Sequence, residues 1–171
     1  MMISGNHDSA PRVDCFRKVL SRQKVYMIGQ PPRNEDEYIE KVTLKDAYGN
    51  VNFYLLPFVR PSVVKPVVGT DENGNNLSYD KTLHRLIERE EINSAERNIL
   101  VSHQFYLPAG KRAEDIERMD SEMRTVGNID EVSADVLEKF DYAALGHIHK
   151  PMKVGSEAFR YCGTPLACSV S

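Results

Sequence analysis

The chain has 171 residues, is 41% hydrophobic and 27% charged, and carries a formal net charge of −3. That length suffices for one domain with a sizeable core, the composition is ordinary for a soluble globular protein, and the acidic balance excludes a protein that holds nucleic acid by bulk electrostatics alone. A phosphate-processing site remains compatible with it, because bound metal ions can be the largest local positive charge. No apolar run reaches membrane-spanning length, and no basic stretch leads into an apolar segment with a cleavage site. The expected compartment is therefore the cytoplasm, with no membrane partner. Cys15, Cys162 and Cys168 are odd in number and lack a CxxC spacing, which reads as reduced thiols rather than a disulfide frame or zinc knuckle.

Met1-Met2-Ile3 reads as the end of a buried strand that runs into Ser4-Gly5-Asn6-His7-Asp8, a tight turn holding an amide, an imidazole and a carboxylate. Across residues 9–20, Val13, Phe16, Val19 and Leu20 recur at helical spacing, and Pro11 sits in the first turn, where its missing N–H does no harm. Residues 25–28 form a short strand and residues 31–37 a polar loop. Two strand-like runs follow at 39–44 and 51–56, and Gly49-Asn50 in the connector signals a hairpin. Pro57, Pro61 and Pro66 mark an irregular crossing, and residues 71–76 an exposed loop. Residues 78–91 read as a helix with Leu83, Leu86 and Ile87 on one face and Ser78 or Asp80 as its cap.

An apolar strand over residues 98–103 ends in His103. Residues 104–128 read as mostly loop, charged and containing Met119 and Met123. A short helix near 133–139 leads into a buried strand at 142–145, which ends in Gly146-His147-Ile148-His149. Residues 152–154 and 158–161 look like an antiparallel pair before Cys162-Gly163-Thr164-Pro165. There is no internal repeat and no low-complexity tract. Strands that alternate with helices early and run in hairpins late predict a mixed α/β (α+β) fold, a sheet covered by helices.

Three strands thus end in polar residues of one chemical kind: Asn6, His7 and Asp8; His103; and His147 with His149. Ligands of open α/β sheets gather at the carboxyl ends of strands, so these loops are candidates to converge. Imidazole with amide oxygen suits a borderline divalent metal such as manganese, iron or zinc. In His-x-His on an extended segment both rings point to one face, and Gly5 and Gly146 allow the backbone to turn sharply beside a bound ion or phosphate. Each feature also has a plain structural reading. His103 reads equally as a structural residue after an apolar strand, Asn6-His7-Asp8 as a helix cap, and His147-Ile148-His149 as chance. His84, in mid-helix, reads as a solvated or half-buried helix residue.

Gly-Asn-His-Asp at 5–8, Ser102-His103 after its strand, and Ala-Leu-Gly-His-Ile-His-Lys-Pro at 144–151 together resemble the calcineurin-like metallophosphoesterase superfamily. Phe53-Tyr54-Leu55-Leu56-Pro57 and Tyr161-Cys162-Gly163-Thr164-Pro165-Leu166 narrow the resemblance to its SbcD-type exonuclease branch, which serves bacterial DNA repair and recombination. The resemblance implies a partial four-layer α-β-β-α sandwich. It also implies that Asn6, through its amide oxygen, and His103 and His147 bind one metal, and that His149 binds the other. His7 would contact the phosphate and protonate the leaving oxygen, with Asp8 orienting its ring. Two manganese ions about 3.5–4 Å apart would activate a water for in-line attack on phosphorus. The implied partners are DNA and an SbcC-type ATPase subunit, with a possible homodimer.

The same resemblance implies ligands that precede Gly5-Asn6-His7-Asp8, an Asp-x-His pair and a Gly-Asp whose carboxylate bridges both metals, and neither motif occurs in this sequence. Residues 1–171 are thus expected to be the carboxyl-terminal portion of a metallophosphoesterase domain, without its amino-terminal part and cap domain. Three neutral ligands without a bridging carboxylate should hold at most one ion well, leaving the isolated chain weakly active or inactive. A missing part of the sheet would also expose an edge open to self-association. Lys111, Arg112, Lys150, Lys153 and Arg160 flank the motif loops and are candidate DNA-backbone contacts or simply a solvated surface. The competing readings are a metallophosphoesterase for small phosphoesters or cyclic nucleotides, and a non-catalytic truncated domain.

Overall fold

The computed structural model describes residues 1–108, 110–111 and 130–165, so Arg112, Met119, Met123, Leu166 and Cys168 lie outside the described residues. A six-stranded mixed sheet organises the chain. Its strands are β3 (Glu40–Asp46), β4 (Gly49–Leu56), β5 (Arg97–His103), β8 (Tyr142–Gly146), β9 (Met152–Val154) and β10 (Ser156–Tyr161), in the order β3-β4-β5-β8-β10-β9. β4, β5, β8 and β10 run parallel, while β3 and β9 close the two edges antiparallel. The hairpin predicted around Gly49 forms between β3 and β4, with Glu40 opposite Leu55 and Asp46 opposite Gly49. Asp46 Oδ1 accepts the Tyr48 N–H at 2.8 Å, and Gly49 supplies the φ of 115° that the turn requires.

One face of this sheet is covered by helices. α4 (Tyr79–Glu88) buries Leu83, Leu86 and Ile87, the face expected from the sequence, and Ser78 caps it by accepting the Lys81 N–H at 3.3 Å. The other candidate cap, Asp80, instead accepts the Ser133 N–H at 2.8 Å. The crossing expected at Pro57, Pro61 and Pro66 is in part a helix, α3 (Pro61–Val68). Pro61 occupies the first turn, where no donor is lost. Pro66 forgoes one intrahelical bond, a loss offset by burying Val64 and Val68 against the core. A 3-10 helix (Ala134–Lys139) adds Ala134, Val136 and Leu137 to the same core.

The stretch read as loop after His103 begins with a strand. β6 (Phe105–Leu107) pairs in parallel with β7 (Glu131–Ser133), and all three residues of β6 are buried. The chain therefore leaves the main sheet at Gln104 and starts a second ladder immediately.

The opposite face of the main sheet carries β1 (Met2–Ile3), parallel to β2 (Met27–Ile28) with Met2 opposite Met27. β1 lies against β4 and β5, and the short helices α1 (Ala10–Asp14) and α2 (Arg17–Ser21) lie against β2. The layers thus run helix, six-stranded sheet, two-stranded sheet, helix. Ile28, Val42 and Leu55 form the small core between the two sheets, with Ile3, Phe53 and Val101 around them. The single helix expected over residues 9–20 is broken at Phe16, whose φ of −103° and ψ of 6° leave the helical region. Asp14 ends α1 turned toward β2, its carboxylate accepting the Gly29 N–H at 3.0 Å. Phe16 and Val19, two of the apolar residues at helical spacing, are 63% and 64% exposed. Among the described residues no helix is long and apolar enough to cross a membrane.

Two side chains in this frame make predictions. The Tyr54 hydroxyl is buried without a hydrogen-bond partner among the described residues, while its ring packs edge-on to Phe140 at 5.5 Å. Tyr54→Phe keeps the packing and removes the unpaired group, so it should leave stability unchanged or raise it by about 1 kcal/mol. A fall in the urea midpoint would show that the hydroxyl is paired. His84 is half-buried; its Nδ1 lies 2.9 Å from the Asp80 carbonyl and its Nε2 lies 3.2 Å from Asp135 Oδ1. Burial opposes its charge, yet these acceptors and the Asp80 carboxylate outweigh it and raise its pKa. A raised histidine pKa stabilises the fold fully below the unfolded value of about 6.5, and the gain is lost as pH rises through the folded value. Relative to His84→Gln, the wild-type chain should therefore gain stability on going from pH 8 to pH 6, by about 1 kcal/mol or less for so exposed a pair. A difference in melting temperature between the two proteins that stays constant across that range would refute it.

Candidate active site

Strand β1 delivers its loop from a fixed base. Ser4 is buried; its N–H donates to the Ile28 carbonyl at 3.1 Å, its hydroxyl donates to the Gly29 carbonyl at 2.7 Å, and its carbonyl accepts the Phe58 N–H at 3.0 Å. The turn that follows is closed by Asp8, whose carboxylate accepts the Gly5 N–H at 2.8 Å. Its backbone N–H donates back to the Gly5 carbonyl at 3.3 Å. His7 and Asp8 face solvent, and Asn6 is half-buried. Ser9, at the N-cap of α1, makes no side-chain cap hydrogen bond.

His103 is the last residue of β5, opposite Gly146 at the end of β8. Period-two alternation along β5 buries Asn98, Leu100 and Ser102 on the helix-covered side and turns Ile99, Val101 and His103 to the other. That places the imidazole on the same side as the β1 loop. His103 Nε2 lies 3.1 Å from Asn6 Oδ1. The ring is held in a slot between two glycines: a Cβ on Gly5 would sit 2.7 Å from His103 Cε1, and one on Gly146 would sit 2.7 Å from His103 Nδ1.

His147 crosses the same ring edge-on, with centroids 5.5 Å apart and planes at 85°, and it also contacts Phe105 at 6.0 Å. Its φ of 102° is a conformation that a residue with a side chain holds at a cost of about 1–3 kcal/mol. His149 follows, with its backbone carbonyl accepting the Thr164 N–H at 3.2 Å. Burial pushes the His103 imidazole down to about 4; Asp8 opposes this, and His7 and His149 add to it. All of the strand-end residues proposed from the sequence therefore act on one ring, and that ring is neutral at neutral pH.

The flanking cations divide. Lys153 donates to Glu157 at 2.7 Å and Arg160 donates to the same carboxylate at 2.5 Å, so both are engaged on the surface. Lys111 and Lys150 are exposed. Gln104 and Tyr161 are both fully buried, and although Tyr161 heads the closing motif, neither stands out in the sequence as a site residue. The signal that was available is a glutamine immediately after a strand-end histidine and a tyrosine closing the last strand, which composition alone does not separate from ordinary strand residues.

Among the described residues the donor set at the ring is an amide oxygen and imidazole nitrogens, with the Asp8 carboxylate bonded to the turn. Among the described residues no three His, Cys, Asp or Glu side chains are gathered so as to hold a metal ion. Neutral nitrogen and amide donors fit one weakly held divalent cation and do not fit a bridged pair, which needs anionic oxygen. The glycine slot gives a direct check on this geometry. Gly5→Ala and Gly146→Ala should each displace the His103 ring, abolish its contact with Asn6, and leave the β3–β4 hairpin untouched in an NMR spectrum. An unchanged His103 environment in both variants would mean that the slot does not set the ring.

No protein-family model matches the chain. A curated protein of Staphylococcus epidermidis, the SbcD component of the nuclease SbcCD, is 29% identical over 174 positions, an alignment that takes in the whole of this chain. The chain spans about two-fifths (42%) of the length of that relative. This is a similarity to a nuclease component along the full described fold, including the strand-end loops.

Proposed function

We propose that these residues are part of the active site of a metal-dependent phosphodiesterase that cleaves DNA, in repair and recombination, alongside an SbcC-type ATPase subunit in the cytoplasm. The observation that carries this reading is the convergence of three strand ends on one neutral imidazole, with Asn6 Oδ1 at 3.1 Å and His147 across the ring. The similarity to a nuclease component along the whole chain supports it. Asn6, His103 and His147 would hold one divalent ion, most simply Mn²⁺, and His149 would face a second wherever further anionic ligands are supplied. The bound ion would supply Lewis-acid stabilisation of charge on phosphoryl oxygen.

The chain's own groups do the remaining work. His7 projects from a turn that Asp8 locks through the Gly5 N–H, and its exposure lets it meet a phosphodiester from solvent and protonate the leaving oxygen. Low proton affinity at His103 keeps its lone pair available for ligation rather than titrating near neutrality. Among the described residues no carboxylate is gathered with these donors, so the chain should bind a single ion and turn over slowly.

The reading is tested by titrating Mn²⁺ into the chain and into His103→Ala, together with degradation of blunt-ended double-stranded DNA by the chain and by His7→Ala. About one ion per chain, lost in His103→Ala, is expected. Whatever cleavage occurs should drop by about 10²–10⁴-fold in His7→Ala, the usual worth of a positioned general acid. Two tight ions would sink the one-ion account, and cleavage unaltered by His7→Ala would remove His7 from the chemistry. Neither binding nor cleavage would favour the non-catalytic reading.

A further inference from the structure

We propose that Tyr161 and Gln104 are positioning residues: a single buried hydrogen-bond chain, with Gln104 at its hub, ties together the three loops that carry Asn6, His103 and His149. Both residues are essentially inaccessible to solvent, at 1% and 0% exposure. Each bonds to backbone that leads into the polar loops.

The chain can be followed atom by atom. At the break between β5 and β6, the Tyr161 hydroxyl donates to the Gln104 carbonyl at 3.0 Å and accepts the Tyr106 N–H at 2.7 Å. The Gln104 side chain then reaches across to the segment after β4. Its Nε2 donates to the Pro57 carbonyl at 2.8 Å, and its Oε1 accepts the Val59 N–H at 3.4 Å and the Tyr79 hydroxyl. Between Pro57 and Val59 lies Phe58, whose N–H donates to the Ser4 carbonyl and so holds the base of the Asn6 loop. From the other end, Tyr161 is the last residue of β10, paired with Leu145 in β8. Just beyond it Thr164 donates its N–H to the His149 carbonyl, and Gly163 fits beneath that carbonyl because a Cβ there would come within 2.8 Å of it.

The physical reason for such a hub is the departure of β5 from its sheet. A strand that leaves one ladder for another strands a backbone donor and acceptor in the core, and such groups must be paired. Here a tyrosine hydroxyl serves both at once, which fixes the direction in which the preceding residue, His103, emerges. The same fixed point is shared by the loops on either side, so the spacing of the three loops is set by interior bonds rather than by the exposed polar groups themselves. The functional weight of this brace rests on the phosphodiesterase reading; its geometry does not.

The test is Tyr161→Phe in the full chain, followed by NMR without metal or DNA. Leaving the Tyr106 N–H and the Gln104 carbonyl unpaired should speed exchange of the Tyr106 amide about tenfold or more. The His103 ring, Asn6 side-chain amide and His149 backbone signals should all move, while Thr43 and Asn52 in the β3–β4 hairpin keep their positions. A destabilised variant in which the Asn6, His103 and His149 signals stay at their wild-type positions would overturn the proposal, since the tyrosine would then be structural only. Should the variant not fold, exchange in the wild-type chain decides: the Phe58, Tyr106 and Thr164 amides should open together as one unit, and unrelated rates would overturn the hub. Failure of the phosphodiesterase reading would show separately, as no Mn²⁺ binding or DNA cleavage with these signals unaffected.

Discussion

The arrangement depends on one constraint, the need to pair buried backbone where β5 stops being part of its sheet. Up to His103 the strand is satisfied on both sides by β4 and β8. At Gln104 it turns into β6, whose partner is β7 rather than either of these. The bonds from Tyr161 and Gln104 fill that gap, and the side chain immediately before it is the imidazole on which the other polar residues converge. A strand running straight on would have kept alternating faces without presenting a histidine at a layer boundary.

Packing does for the ring what hydrogen bonding does for the backbone. Gly5 and Gly146 leave room for an imidazole that any larger residue would displace. His147 meets it edge-on from a strained backbone position. Close packing and desolvation together lower the proton affinity of His103, so the features that hold the ring also set its chemistry. The low proton affinity of this imidazole is thereby a consequence of its burial in the fold.

The two faces of the main sheet divide the labour. The helix-covered face, built from Leu100, Leu83, Leu86 and Ile87 among others, holds most of the buried apolar surface and stabilises the sheet. On the other face a two-stranded layer covers β4 and β5 and brings Asn6, His7 and Asp8 to the ends of the parallel strands. The site sits where the layers meet, at the carboxyl ends of β1, β5 and β8, as expected for polar loops in an open α/β sheet. Among the described residues, the Asp8 carboxylate serves the turn, and the donors that remain around the ring are neutral.

Much of this was legible in the residues. The β3–β4 hairpin followed from Gly49-Asn50 between apolar runs, α4 from the spacing of Leu83, Leu86 and Ile87 behind Ser78, and β5 and β8 from apolar runs that end in histidine. The identity of the strand-end residues followed from the same runs, because local pattern and local ending are written in consecutive positions. What the sequence could not decide was set at long range. Residues 9–20 carry a helical pattern yet break at Phe16, just after Asp14, whose carboxylate bonds to Gly29 in another segment. Pro66 is tolerated in α3 only because Val64 and Val68 are buried by packing. Phe105–Leu107 is a strand only because Glu131–Ser133 lies beside it. The sequence by itself determined which polar residues stand at the strand ends. That these residues meet, on which face, and around which ring was decided by tertiary structure, because it depends on hydrogen bonds between residues 47 and 57 positions apart, which no local pattern encodes.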